Sequence, residues 1–207
     1  MSDKRDEATA KPRLGIFGAG NLGGRLTALA SAAGYDVFVG KRDNAVSVAD
    51  HSQIFIIAIP FLACASALPP IAAALTGKIV VDATNPLNSD WSPVLFGDQS
   101  SGGEEVAKLL PDSKVVKAFN TVFADTMTKQ GLLRDGQQVT TFVCGDDAAA
   151  KTTACDLASS LGFAPLESGP LRNCRYTEAI AHLNVYLAVV QGGGTDAAFV
   201  YHRTKKA

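Results

Sequence analysis

The chain has 207 residues, 47% of them apolar, and a formal net charge of −1. That length suits one α/β domain with at most a small appendage. The near-neutral balance gives no electrostatic footprint for nucleic acid or an anionic membrane, so neither is expected as a partner.

Residues 1–13 are polar and mixed in charge, without the apolar run of a secretory signal, and are expected to be a disordered tail. Cys64, Cys144, Cys155 and Cys174 are widely spaced, with no C-x-x-C pair. A reducing, cytoplasmic setting fits them better than a disulfide framework, and no metal site is expected.

Leu14–Phe17 predicts a short apolar strand, and "FGAGNLGG" follows from Phe17 to Gly24. Leu22, Leu26, Leu29 and Ala33 fall at helical spacing, and Gly34 stops that helix. "YDVFVG" then predicts a second strand. Gly18, Gly20 and Gly23 therefore form a G-x-G-x-x-G between a strand and a helix, the context that a dinucleotide site requires. Gly18 permits the tight turn, Gly20 lets a pyrophosphate approach the backbone, and Gly23 lets the helix lie close to the sheet. Ala19, Asn21 and Leu22 lie within the same turn and helix start, whose free N–H groups face an anion.

The second strand ends in Gly40-Lys41-Arg42, where NAD sites usually carry a carboxylate. A guanidinium and an ammonium attract a 2′-phosphate, so NADP is favoured over NAD. Ordinary solvated loop charges are the alternative, and the neighbouring Asp43 argues mildly against the phosphate.

Ile54–Leu75 carries no charge and is long enough to span a bilayer. Pro60, Pro69 and Pro70 interrupt it, so a buried strand at Ile54–Ile59 and a core-facing helix at Leu62–Ala74 explain it better. Further strands are predicted at Lys78–Asp82, Lys114–Ala118, Val139–Cys144 and Pro165–Glu167. Helices are predicted at Glu104–Leu110, Val122–Gln130 and Ala148–Leu161. This alternation gives an α/β fold over residues 14–170: a Rossmann-type, doubly wound, mostly parallel sheet. Beyond it, Arg172–Val190 predicts a long helix, Gly192–Gly194 a break, and Thr195–Arg203 a short second helix. Residues 171–207 are thus expected as a small helical extension, packed on the domain or on a second subunit. The long helix carries Ile180, Leu183, Val185, Tyr186, Leu187, Val189 and Val190 on more than one face, which favours a homodimer.

Several motifs, taken together, resemble one family. "GIFGAGNLGGRL", "VGKR", "VVDATNPL", "VVKAFNTV", "FVCGDD" and "ESGPLRNCRYTE" are similar to the NADP oxidoreductases that depend on the deazaflavin coenzyme F-420. The reductase domains of STEAP metalloreductases are similar too. The resemblance implies hydride transfer between NADP(H) and a deazaflavin or flavin-like co-substrate. It places Gly18, Ala19, Gly20, Asn21 and Leu22 at the pyrophosphate and Lys41 and Arg42 at the 2′-phosphate. Ile59 and Pro60 would border the ribose, and Asn85, Pro86, Ala118, Phe119 and Asn120 the nicotinamide. One departure stands out: only Asp43–Gln53 separate "GKR" from the next strand, where the family fits a helix and a strand. Most of that crossover, one edge strand and part of the adenine pocket are expected to be missing.

No catalytic triad or nucleophile elbow appears, and His51, His182 and His202 are isolated. Hydride transfer explains that silence, because the protein must mainly hold two rings in register. Asn85, Asn120 and Thr121, in strand-end loops, are the candidates to orient a carboxamide or ring edge; turn formation explains the asparagines equally well. Two rivals remain open. One is a dehydrogenase of a small hydroxy or imino acid, with Lys117 as the available proton carrier; the other is a non-catalytic sensor of the NADP redox state.

Overall fold

The computed structural model describes residues 11–204, so most of the expected N-terminal tail lies outside the described residues. A seven-stranded sheet forms the frame. In chain order its elements begin with β1 (Leu14–Phe17), α1 (Asn21–Ala32), β2 (Val37–Gly40), α2 (Ala45–His51) and β3 (Ile54–Ile57). After them come the short α3 (Cys64–Ala67), β4 (Ile79–Asp82), α4 (Gly102–Leu109) and β5 (Lys114–Lys117). A small hairpin of β6 (Leu133–Arg134) and β7 (Gln137–Gln138) precedes β8 (Thr140–Gly145), α5 (Ala148–Ser160), β9 (Ala164–Glu167) and α6 (Cys174–Val185).

The strand order is β2-β1-β3-β4-β5-β8-β9. All pairs are parallel except β5 with β8, which run antiparallel with Lys117 opposite Cys144. Side chains alternate between the faces of a strand, and here both faces are covered. Leu14, Ile16, Ile54, Ile56 and Val116 pack with α1 and α5 in one core. Phe17, Phe55, Ile57 and Val115 pack with α2, α3 and α4 in the other. This is the doubly wound sheet that the apolar strands predicted.

Four expectations are corrected. The helix at Leu62–Ala74 is broken into α3 and three single 3₁₀ turns. Pro69 and Pro70 lack the N–H groups that a continuing helix needs. The helix at Val122–Gln130 shrinks to one 3₁₀ turn at Ala124–Thr126. Its buried apolar residues Val122 and Met127, like Leu132 just beyond it, are spaced by five and share no helical face. Thr195–Arg203 is not helical; it runs back across β8, where Thr140 N–H donates to the Phe199 carbonyl and Tyr201 N–H to Thr140 Oγ1. The strand edge supplies hydrogen-bond partners that a helix would have had to make internally. Finally, the short crossover Asp43–Gln53 keeps a helix, α2, which buries Ala45, Val48 and Ala49; β2 is the sheet edge on that side.

Candidate functional site

The sheet order reverses direction between β1 and β3: β1 continues to β2 on one side, and β3 lies on the other. A crevice opens there at the C-terminal ends of the parallel strands, the usual ligand position of open α/β sheets. The turn after β1 forms one wall. Gly18 has φ +124°, and a Cβ on it would lie 2.2 Å from the Ala58 carbonyl oxygen. A Cβ on Gly23 would lie 1.8 Å from the Gly18 carbonyl oxygen. Both glycines are demanded by packing. Gly20 differs, because a Cβ there meets nothing within 4 Å. Its surroundings are open, as a backbone that receives a pyrophosphate must be.

The helix that starts here has no side-chain cap, and neither do α2, α3 and α6. Ser101 caps α4 and Asp147 caps α5 through side-chain hydrogen bonds. Gly20, at the start of α1, makes no such bond, and the first turn carries no acid. The free N–H groups and positive dipole end of α1 therefore face the crevice without a protein anion.

Three connected hollows run along the crevice. The first, of about 210 Å³, is lined by Gly18, Ala19, Gly40, Lys41, Arg42, Ile59 and Pro60. Lys41 and Arg42 are exposed, and neither forms an ion pair among the described residues. The second, about 450 Å³, lies between Gly20–Leu22 and Ala58–Phe61, floored by Ala83, Thr84 and Asn85. The third, about 270 Å³, shares Asn21, Leu22, Ala83, Asn85, Leu87 and Trp91 with the second. It continues to Phe119–Asp125, to Ala181, Asn184 and Val185 of α6, and to Thr195.

The asparagines tie this floor together. Asn85 Nδ2 donates to the Asn120 carbonyl at 2.6 Å, and Asn120 Nδ2 donates to Asn85 Oδ1 at 3.1 Å and the Thr177 carbonyl at 3.3 Å. Asn184 Nδ2 reaches the Thr121 carbonyl at 3.2 Å. Loops after β4 and β5 are thereby fixed to α6. Phe119, fully buried, adopts φ 66° to make this turn, and its N–H donates to Thr141 Oγ1. A left-handed aromatic is an uncommon, strained conformation that tends to cluster at functional sites.

Not every polar atom is used. Thr84 Oγ1, Asn120 Oδ1 and Thr121 Oγ1 are buried without a protein hydrogen-bond partner, on residues at most 5% exposed. An unsatisfied buried polar atom costs about 1–3 kcal/mol unless something else bonds it. All three residues line the second or third hollow.

Behind the floor lies a charged hub. Lys117 Nζ is fully buried, 2.8 Å from Asp82 Oδ2 and 3.0 Å from Glu178 Oε1. Glu178 also accepts the Gly102 and Gly103 N–H groups at the start of α4. Burial alone would lower Lys117, but the two carboxylates outweigh it and raise it above the ordinary lysine value. A cation so held neither reaches the crevice nor releases a proton near neutrality, which removes Lys117 as a proton carrier. His182, one turn after Glu178, is held below the ordinary histidine value, chiefly by burial, against the pull of Glu178.

The structure thus brings Gly18, Ala19, Gly20, Asn21, Leu22, Lys41, Arg42, Ile59, Pro60, Asn85, Phe119, Asn120 and Thr121 onto one crevice. Gly23, Pro86 and Ala118 are buried behind it. Thr84, Trp91, Phe123, Asn184 and Thr195 line it without having been singled out in the sequence. Thr84 sits inside the "ATNPL" motif, so a signal was present there; Thr195 arrives only because the chain folds back after Gly194.

No family model matches the chain. It is 32% identical over 187 residues to "Metalloreductase STEAP3" of Rattus norvegicus, covering 82% of this chain and 36% of that protein. It is 30% identical over 146 residues to the "F420-dependent NADP reductase" of Methanocaldococcus jannaschii, covering 68% and 64% respectively. The chain therefore spans about a third of the metalloreductases it matches. Among solved structures, that of a candidate F420-dependent NADP reductase from Arthrobacter sp. FB24 superimposes with a TM-score of 0.84 at 26% identity. That match covers 93% of this chain and all of the other.

Proposed function

From its homology with the F420-dependent NADP reductases and the STEAP metalloreductases, we propose that the chain is an NADP-dependent oxidoreductase. It transfers hydride between NADP(H) and a deazaflavin or flavin-like acceptor. The observation that carries this reading is one crevice joining an uncapped helix start to a second cavity with unpartnered buried polar atoms. The residues present fit the cofactor. The α1 N-terminus and open Gly20 would hold the pyrophosphate, Lys41 and Arg42 the 2′-phosphate, and Thr84 and Asn85 the nicotinamide side. NADPH, when bound, supplies the hydride, and the proton that completes reduction of the acceptor comes from solvent.

The chain's own residues position and exclude. Ile59 and Pro60 wall the ribose side, while Phe119 and Val122 close the floor against water. Asn120 Oδ1 and Thr121 Oγ1 offer an acceptor and a hydroxyl to a ring edge. With Lys117 sealed behind the floor, the dehydrogenase reading loses the proton carrier that the sequence offered it. Residues 14–170 would act as the NADP-binding unit, with 171–207 completing the acceptor side. The four free cysteines, three of them buried, fit a cytoplasmic setting, and the exposed apolar side of α6 fits a homodimer.

The test is an NADPH-oxidation assay run in parallel against coenzyme F-420, FMN, FAD and ferric citrate. Turnover with a deazaflavin or flavin at rates well above the ferric chelate is expected. NADPH binding with no oxidation by any acceptor would leave the sensor reading in its place. No helix among the described residues is long and apolar enough to cross a membrane.

A further inference from the structure

We propose that Trp91 is the stacking wall for the acceptor ring and the residue that makes this site select a planar, conjugated acceptor. The inference rests on the reductase reading above and names the residue that would select its acceptor. Trp91 borders both the second and the third hollow, where a nicotinamide and an acceptor would meet.

Two costs coincide at this residue. Its backbone is left-handed, φ 68°, which is strained for a bulky side chain. The residue is 55% exposed, although tryptophan is among the side chains that gain most from burial. No aromatic ring among the described residues stacks on it. The loop nevertheless holds it firmly. Pro86–Val94 forms a miniature hairpin in which Val94 N–H donates to the Pro86 carbonyl at 2.8 Å and Leu87 bridges to Pro93. At its tip, Asn88 N–H donates to the Ser92 carbonyl and Trp91 N–H to the Asn88 carbonyl. Asp90 Oδ1 accepts from both the Ser92 N–H and hydroxyl. The indole is presented, not merely left outside.

The rest of the third hollow has matching chemistry. Val122, Phe123, Ala181 and Val185 give it further apolar lining. Its edge carries Asn120 Oδ1, which only accepts, and Thr121 Oγ1, which can donate. Apolar walls and a polar edge suit a flat heterocycle with an N–H beside a carbonyl. A compact, hydrated ferric chelate gains nothing from an aromatic face.

Trp91 is the only tryptophan, so its emission reports from this point alone. The NADP⁺-saturated protein is titrated with FMN, coenzyme F-420 and ferric citrate, with correction for absorbance. Saturable quenching by at least one planar ring is expected, and only linear, collisional quenching by ferric citrate. In turnover, Trp91→Ala should raise KM for that ring about tenfold, the order of an aromatic contact. Trp91→Phe should restore it to within about threefold of wild type. In both variants the change in NADPH affinity, measured by calorimetry, should be smaller than the change in KM for that ring. Absence of saturable quenching by either ring, an unchanged KM in Trp91→Ala, or an equal loss of NADPH affinity would overturn the proposal. The quenching titration needs no turnover, so it decides the role of Trp91 even if no acceptor oxidises NADPH, the result that would sink the reductase reading instead.

Discussion

At Gly20 an added Cβ meets open space, while at Gly18 and Gly23 it strikes carbonyl oxygens. The three glycines of one motif should therefore fail in different ways. Gly20→Val is expected to keep its melting temperature within a few degrees and to lose NADPH binding, because the branched side chain fills the proposed pyrophosphate position. Gly23→Val should not fold. Calorimetric binding together with thermal melts checks both; a Gly20→Val protein with normal NADPH affinity would refute the phosphate reading. Arg42→Ala should weaken NADPH by about 1.5–3 kcal/mol, the range of a charged hydrogen bond, and leave NADH nearly unchanged. Equal losses for the two cofactors would reassign Arg42 to an ordinary surface charge. Lys117→Met strands the buried Asp82 and Glu178 carboxylates without their cation. Breaking such a buried ion group costs about 3–5 kcal/mol, readable as a fall in the urea midpoint.

Among the elements, α6 does the most joining. Its Glu178 reaches the start of α4, its Thr177 carbonyl and Asn184 hold the loop after β5, and Arg175 clamps Glu104 and the carbonyls of Asp98 and Gln99. Two of its contacts carry a pH dependence of the same sign. His182 is held below its ordinary value by burial, with Glu178 opposing and Lys117 assisting. The unfolded chain then takes up a proton first as pH falls, so stability declines below about pH 6.5. Glu104 is held below the ordinary glutamate value, first by the Arg175 hydrogen bond. Its contribution is complete above about pH 4.3 and is lost as pH falls through the lowered value. Urea unfolding at pH 7.5, 5.5 and 4 should show a progressive loss. His182→Asn should flatten the upper step and spare the lower one; an unchanged slope between pH 7.5 and 5.5 would remove His182 from the account.

At the scale of the whole molecule, an uncovered side of α6 and the π-turn after it, Tyr186–Val190, asks for a partner. Tyr176, Leu183, Leu187 and Val190 recur at +7, +11 and +14, one side of a helix, and are 70%, 51%, 45% and 66% exposed. Val185 and Ala188 point into the protein. Tyr186 and Val189, 49% and 46% exposed, lie beside this line, so the uncovered apolar surface spreads over more than one side, as the sequence suggested. A second copy, related by a two-fold axis, is the occupant we propose for it. Sedimentation equilibrium at micromolar concentration should give twice the 21.5 kDa chain mass, and Leu183→Asp with Leu187→Asp should return the monomer. A wild-type protein sedimenting as one species of 21.5 kDa would sink the dimer.

The sequence by itself determined the elements whose signals are local. Each main strand lies within two residues of its expected position at either end, because a fully buried parallel strand must be apolar throughout. The G-x-G-x-x-G turn was legible for the same reason: positive φ at Gly18 and the contact at Gly23 are requirements that one residue type meets. What the sequence left open depended on partners far along the chain. The fate of Thr195–Arg203 was decided by the edge of β8, and the failure of a helix at Val122–Gln130 by the core that takes Val122, Met127 and Leu132 separately. That Asn85 and Asn120 hydrogen-bond each other and leave Asn120 Oδ1 without a protein partner was visible only in the tertiary structure. Lys117, a plausible proton carrier in sequence, became a sealed structural cation once β4 and α6 supplied Asp82 and Glu178. Periodicity and backbone conformation are properties of a segment, but burial and hydrogen-bond satisfaction are properties of what folds against it, and only the tertiary structure specifies those.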